Sequence, residues 1–333
     1  MIKNFLKKIY ISKQFSKFSN FIGSPWKGKG AILMYHRVLP DKKIDEDLNL
    51  GLAVSCSSFE KQIRAIKEKF KICSINEFVD NLRSEKNEFM LAITFDDGYK
   101  DNLLYALPIL EKFQVPATIY VTTSYIKENV SLWWHELKEK IINEKKINFR
   151  FEKKNFKFIL NSQKQKNFAY NNLRKIFLNL KTKRQTELLE IITGSKQRKN
   201  YSNIFLNENE VKTLDKHNLI TIGCHSHNHL NFKILDDEEI QEEANKSLEV
   251  LENLLNHKVK HFCYPYGGKN HAFEREYNII KKLNFTSAVT GRVFPINDYN
   301  VFSLPRIYIG KNMCDKTLIN HLNGFYNLTY RFL

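Results

Sequence analysis

The chain has 333 residues, of which 42% are hydrophobic and 13% aromatic, enough to build a sizeable core and too many for a chain that stays disordered. No stretch approaches the eighteen or so consecutive apolar residues of a membrane-spanning helix, and a single barrel-type α/β domain with insertions accommodates the length. The net charge of +17 would suggest a nucleic acid or an anionic surface as partner, but it is concentrated: residues 1–30 carry seven Lys and no acid, and residues 138–200 carry 18 Lys and Arg against five acids.

Residues 1–30 form a basic N-terminal arm. Within it, Ile2, Phe5, Leu6, Ile9 and Tyr10 recur at helical spacing among Lys3, Lys7, Lys8, Lys13 and Lys17. That pattern in residues 1–22 suits peripheral contact with an anionic bilayer, or a frayed helix packed on the domain. Its longest apolar run, Ile9-Tyr10-Ile11, is too short for a signal-peptide core, and the five cysteines (Cys56, Cys73, Cys224, Cys263, Cys314) include no CxxC pair. Reduced thiols and a cytoplasmic location, peripheral on the inner membrane face, are the expectation.

The domain proper is expected over 31–320, with 321–333 as a tail. Apolar runs at 31–35, 90–95, 117–122, 219–223, 261–264 and 286–290 read as strands. Helical patterns alternate with them. Ser57 or Ser58 caps a helix to residue 70 with Phe59, Ile63, Ile66 and Phe70 on one face, and 99–113 reads as a second helix ended by Gln114-Val115-Pro116. Asn207 with Glu210 forms a capping box, stapled by Leu206 and Val211, and helices follow at 236–255 and 273–283. This alternation predicts βαβ units and a parallel sheet. Residues 138–200 break the rhythm: a hairpin sets Ile147, Phe149 and Phe151 against Phe156, Phe158 and Leu160, and Lys-rich helices follow. This segment is an insertion or lid whose lysines read as a solvated face in preference to a binding site.

Two clusters carry chemistry. Asp96-Asp97-Gly98 directly follows the 90–95 strand, so two carboxylates sit at the C-terminal end of a parallel strand, where α/β folds place their sites, although Asp97 alone would also serve as a helix cap. His225-Ser226-His227-Asn228-His229 follows the 219–223 strand, and a helical turn there would aim His225 and His229 at one point. One carboxylate with two imidazoles suits Zn²⁺ or a similar divalent ion and leaves positions open for water and substrate.

The segments AITFDDGY, HSHNH and FCYPYGG, with an early YHRV and a late LPRI, resemble the motifs of the polysaccharide deacetylase family (NodB homology, carbohydrate esterase 4), in its exopolysaccharide-cluster branch. The resemblance runs over about residues 31 to 310. It implies a distorted (β/α)7 barrel carrying the basic insertion. It also implies removal of an N-acetyl or related acyl group from an amino sugar of a surface polysaccharide or its lipid-linked precursor. By the same resemblance Asp97, His225 and His229 are ligands of a divalent metal, Zn²⁺ first. Asp96 is the general base, and Tyr266 supplies a backbone N–H or a wall near the oxyanion, with Tyr264 and Pro265 grouped beside it as substrate-binding residues, although Pro and paired Gly also make the stretch a plain turn.

Two departures stand out. Cys263 occupies the place of the family's third-motif Arg, and Leu304-Pro305-Arg306-Ile307 lacks the late His. His36, after the first strand, is the candidate substitute acid or substrate contact, or else a hydrogen-bonded rim histidine. Arg306 stands in for the missing Arg and is grouped with the substrate-binding residues, as is Trp134, whose neighbour Trp133 shares its reading: sugar stacking or packing of the insertion. A catalytically inactive glycan-binding protein is the alternative, opposed by the intact Asp96, Asp97, His225 and His229. No nucleic-acid motif accompanies the Lys-rich segments, so nucleic acid is not an expected partner.

Overall fold

A computed structural model describes residues 28–44, 51–84, 88–127, 129–293, 295–296 and 300–324, so the amphipathic pattern of residues 2–22 and most of the expected tail lie outside the described residues. In chain order the elements are β1 (Gly30–Tyr35), β2 (Arg37–Leu39), β3 (Ala53–Ser55), α1 (Cys56–Lys67), β4 (Lys71–Ile72), α2 (Ile75–Arg83), β5 (Met90–Phe95), α3 (Leu107–Phe113), β6 (Ala117–Val121), α4 (Trp133–Asn143), β7 (Lys146–Phe151), β8 (Lys154–Ile159), α5 (Gln163–Phe177), α6 (Thr182–Thr193), α7 (Glu208–Asp215), β9 (Ile220–Cys224), α8 (Asp237–Leu255), β10 (His261–Cys263), α9 (Glu274–Lys281), β11 (Ser287–Val289), β12 (Ile307–Tyr308) and α10 (Asp315–Leu322). Among the described residues no helix is long and apolar enough to cross a membrane.

The apolar runs read as strands make one parallel sheet in the order β11-β10-β9-β6-β5-β1-β12, with β4 also paired to β5. Helices cover its outer face. Leu91, Ile93 and Phe95 of β5 pack outward in one cluster with Phe59, Ile63 and Ile66 of α1, while Met90 and Ala92 point inward with Ile32, Tyr120, Cys263, Val289 and Leu304. Burial on both faces is why these strands read as unbroken apolar runs without polar alternation. The sheet curls because residues 301–309 bridge its two ends. Leu304 pairs in parallel with Val289 of β11, and Ile307 of β12 pairs with Leu33 of β1. The result is the distorted (β/α)7 barrel that the motifs implied.

Two helix boundaries differ from the sequence reading. Residues 53–55 pair with β2, so Ser55 is already extended, and its Oγ, in place of that of Ser57 or Ser58, accepts the Ser58 N–H at 3.2 Å and caps α1. The helix expected over 99–113 is divided: Tyr99 bridges Phe205, Asn102–Ala106 is a π turn, and α3 begins only at Leu107. Pro108 removes the N–H that a regular helix would send back one turn, which explains the widened turn before it. The Asn207–Glu210 capping box forms as read, with reciprocal bonds of 3.0 and 2.9 Å, and starts α7.

The insertion carries its own core. Its hairpin pairs Ile147 with Phe158 and Phe149 with Phe156. Leu137, Ile141, Phe151, Leu173, Leu188 and Ile192 pack beneath it, and Trp133 stacks on Phe177 at 4.5 Å. That core begins at Trp133 in α4, ahead of the boundary at 138 that the charge pattern suggested.

Candidate active site

Period-two alternation along β5 puts Thr94 inside the barrel and carries Asp96 to the same interior face at its C-terminal end. Arg306, just before β12, meets it there. Its Nη1 donates to Asp96 Oδ1 at 2.6 Å and its Nη2 to Oδ2 at 2.7 Å. Its other donors are spent as well: Nε on the Thr290 carbonyl, Nη1 on Thr94 Oγ1 and Nη2 on Cys263 Sγ. Arg306 is 2% exposed and Asp96 3%. Burial is the largest influence on Asp96 and opposes its ionisation, but the Arg306 charge and its two hydrogen bonds win and hold the carboxyl below the ordinary carboxylate range. Burial also pushes the Cys263 thiol up, so Arg306 faces a neutral sulfur.

Asp97 turns the other way. Its φ of 72° and that of Gly98, 76°, reverse the chain and direct its carboxylate to the loop after β9. That loop is not the expected helical turn. Ser226 and His229 take φ of 60° and 55°, and Ser226 Oγ accepts the His229 N–H at 3.0 Å. Asn228 gives its backbone N–H and side-chain amide to the Glu243 carboxylate at 2.8 and 2.7 Å. Eight non-glycine residues among those described have positive φ. Gln114 and Asn256 close helices, Glu152 and Lys153 turn the hairpin, and the other four, Asp97, Ser226, His229 and Tyr266, all belong to this site. Backbone strain is thus concentrated where the side chains converge.

His225 Nδ1 donates to the Cys263 carbonyl at 2.8 Å, which leaves the Nε2 lone pair directed at Asp97 Oδ1, 3.3 Å away. His229 Nε2 lies 3.2 Å from the same oxygen. Asp97 Oδ1 is buried with no hydrogen-bond partner. Lone pairs facing one another at this distance call for a cation between them. A tetrahedral ion with ligand bonds of about 2.1 Å has ligand-to-ligand edges of about 3.4 Å, close to the two separations observed. The electrostatics agree. Burial works against charge on His225, yet its hydrogen bonds to the Cys263 carbonyl and Asp97 and the nearby Asp96 charge hold its pKa well above the ordinary imidazole value, the mark of a site short of positive charge. Burial likewise opposes the Asp97 charge, and the two imidazoles draw that carboxyl well below its usual range. The residues therefore fit a divalent metal.

A model of the family described as "Polysaccharide deacetylase" matches residues 83–150 and 158–288, more than half of the chain. The chain belongs to the polysaccharide deacetylase family. The Bacillus subtilis (strain 168) protein YxkH, whose name carries the words polysaccharide deacetylase, is 28% identical over 136 residues, 40% of this chain and 46% of its own. The match thus spans less than half of that curated relative. Two solved structures share the fold. The Streptococcus pyogenes deacetylase PplD, in complex with acetate, superposes with a TM-score of 0.58 at 20% identity, covering 88% of this chain and 97% of its own. IcaB from Ammonifex degensii gives 0.57 at 16%, covering 89% and 97%.

In this deacetylase-family chain the remaining candidates fall unevenly. Asp96, Asp97, His225, His229, His36, Trp134, Tyr266 and Arg306 all line one cavity of about 250 Å³, together with Tyr99, Tyr170 and Arg174. His36 Nε2 lies 3.9 Å from Asp96 Oδ2, and its Nδ1 is buried without a partner, so it is not a hydrogen-bonded rim residue. Burial lowers its pKa, outweighing the pull of Asp96 and Asp97, so it is neutral at neutral pH. The Tyr266 ring stands 4.6 Å and the Trp134 ring 5.9 Å from the His229 ring.

Tyr264 and Pro265 do not reach the cavity. Tyr264 faces the outer core at 1% exposure and its hydroxyl donates to the Phe302 carbonyl at 2.9 Å, so it is a packing residue and not a substrate contact. Arg306 lines the cavity floor, but with every donor engaged it has none left for a sugar. Its position beside Cys263 is that of the orienting Arg. Sequence reasoning passed over Glu243, an acid on the buried stripe of α8 between Ile240 and Ala244, and Arg174, within the insertion whose lysines it read as a solvated face.

Proposed function

We propose that this chain is a metal-dependent hydrolase that removes an N-acetyl or related acyl group from an amino sugar of a surface polysaccharide or its lipid-linked precursor. The observation that carries this reading is the convergence of Asp97, His225 and His229 on one point beside an aspartate locked by Arg306, at the base of an aromatic cavity. A divalent ion held by that trio, with Zn²⁺ the expected one, supplies the charge that polarises an amide carbonyl and acidifies water.

The chain's own groups do the rest. Asp96, kept ionised and aimed by Arg306, takes the proton of the attacking water. His36 is neutral beside it, so it receives that proton and passes it to the departing amine nitrogen. The rings of Trp134 and Tyr266 wall the cavity next to His229 and present faces on which a sugar can stack. PplD, a structural neighbour, was solved with acetate, the acid that N-deacetylation releases.

Metal content and acetate release, measured together on a panel of N-acetylated sugars, test the reading. Asp96→Asn retains about one ion per chain and loses about 10²–10⁴-fold in turnover, whereas Asp97→Ala and His225→Ala lose both. Full metal occupancy in His225→Ala, or near-native rates in Asp96→Asn, refutes the assignment of roles. Metal-loaded protein that binds glycan and releases no acyl group refutes the hydrolase.

The basic arm is the proposed membrane contact, since several Lys near an anionic surface contribute about 1 kcal/mol each. Co-sedimentation of the full chain with anionic vesicles should exceed that of a chain beginning at Gly28 and should weaken with salt. Equal pelleting rules it out.

A further inference from the structure

Resting on that reading, we infer that Arg174 of the insertion forms, with Tyr266 and His271, a subsite for an anionic substituent, phosphate or carboxylate, on the sugar whose acyl group is removed. Arg174 lies on α5 and lines the same cavity as Asp97 and His229. Its guanidinium sits over the Tyr266 ring at 5.7 Å, and that ring is in edge contact with His229. One aromatic side chain therefore separates this cation from the residues that converge on Asp97.

The charge is uncompensated. Among the described residues no carboxylate and no hydrogen-bond acceptor partners the Arg174 side chain, whereas the cavity's other guanidinium, Arg306, has every donor engaged. Of the two cavity carboxylates, Asp96 belongs to Arg306 and Asp97 to the histidines. One further group lies beside the Tyr266 ring. His271, its ring 5.4 Å from that of Tyr266, has a buried Nδ1 without a partner.

A half-buried guanidinium is stabilised by a planar anion that accepts two parallel N–H bonds, which carboxylate and phosphate both do. A neutral amino sugar gives it nothing of that strength. The cation also comes from the insertion whose lysines make the segment strongly basic, so an anionic sugar is drawn toward the cavity from a distance.

The test uses the full, metal-loaded chain with three probes: N-acetylglucosamine, its 1-phosphate and its uronic acid counterpart. Wild-type protein should favour one of the anionic sugars over the neutral one in kcat/KM, chiefly through KM. The favoured probe tells whether phosphate or carboxylate is the natural group. Arg174→Gln should reduce that preference by about tenfold to a hundredfold, the worth of a charge-assisted hydrogen bond, and Arg174→Lys should keep part of it. A wild-type preference near one, or one that survives Arg174→Gln, overturns the inference and leaves Arg174 a packing residue that seats the insertion on Tyr266. Failure to release acetate from any sugar counts against the hydrolase alone. Titration calorimetry of the same three sugars with the same variants then decides the subsite by the same ratio.

Discussion

Exchanging the two members of the buried Asp96–Arg306 pair, singly and together, measures what the pair does for the fold. Arg306→Met leaves Asp96 with only the weak Cys263 Sγ contact at 3.6 Å, and Asp96→Leu leaves one donor of each Arg306 Nη unmet. With both residues about 3% exposed or less, cavity water repairs little of either loss, and each single change should cost about 3–5 kcal/mol. The double variant replaces the ion pair with apolar side chains of similar volume and should return to within about 1–2 kcal/mol of wild type. In urea, with a slope near the top of the usual range of about 1–3 kcal/mol/M, the singles move the midpoint down by about 1–2 M. Far-UV circular dichroism is the appropriate probe, because Trp133 and Trp134 pack in or beside the insertion's core and would report that body instead. Two modest single effects that add up to the double would refute the argument, since independent sites add and a buried pair does not.

Glu243→Ala frees Asn228 and with it the backbone between His225 and His229, so metal affinity should fall about 10–100-fold while the helix it sits on stays folded. Unchanged affinity in an equilibrium chelator competition would show that the loop holds its shape without Glu243. His261 is buried between Ser287 and Asn76, and burial holds its pKa at about 4, below the value of about 6.5 in an unfolded chain. The unfolded state thus takes up the proton first, so this residue's contribution is complete above about pH 6.5 and is lost as pH falls toward 4, by about 3 kcal/mol. His261→Gln should flatten that part of the stability-against-pH curve, and an unaltered slope would refute the assignment.

Much of the barrel was legible because its strands are buried on both faces, so their sequences are apolar runs of strand length, three of them closed by His36, Asp96 and Pro265. Both chemical clusters stood at the ends of such runs. Tyr264 was misread although the same rule covers it: along β10 Phe262 packs outward and Cys263 inward, so the next residue returns to the outer core. Pro108 was likewise a visible reason to divide the 99–113 helix. Arg306 was found as a replacement, but its grip on Asp96 was not, because two residues 210 apart meet only through sheet closure. Arg174 was the hardest. Its neighbours Leu173 and Phe177 identify α5 as amphipathic, but nothing local shows that the insertion folds back so that its polar edge enters the barrel mouth.

The segment 301–309 sets a schedule as well as a shape. The Thr290 N–H reaches back to the Leu304 carbonyl on one side, and the Ile309 N–H reaches the Met34 carbonyl on the other. At a synthesis rate of about 5–20 residues per second, roughly 10 to 40 s separate the making of Asp96 from the making of Arg306. Through that interval β1 is a free sheet edge open to mispairing, joined by β11 once residues 287–289 are made, and the aspartate has no counter-charge. A chain ended by early termination or proteolysis before residue 301 therefore carries both motif clusters and yet has neither a closed sheet nor an oriented base. Such fragments should be inert and prone to associate through the exposed edges, and activity should arise all at once when the last strand docks.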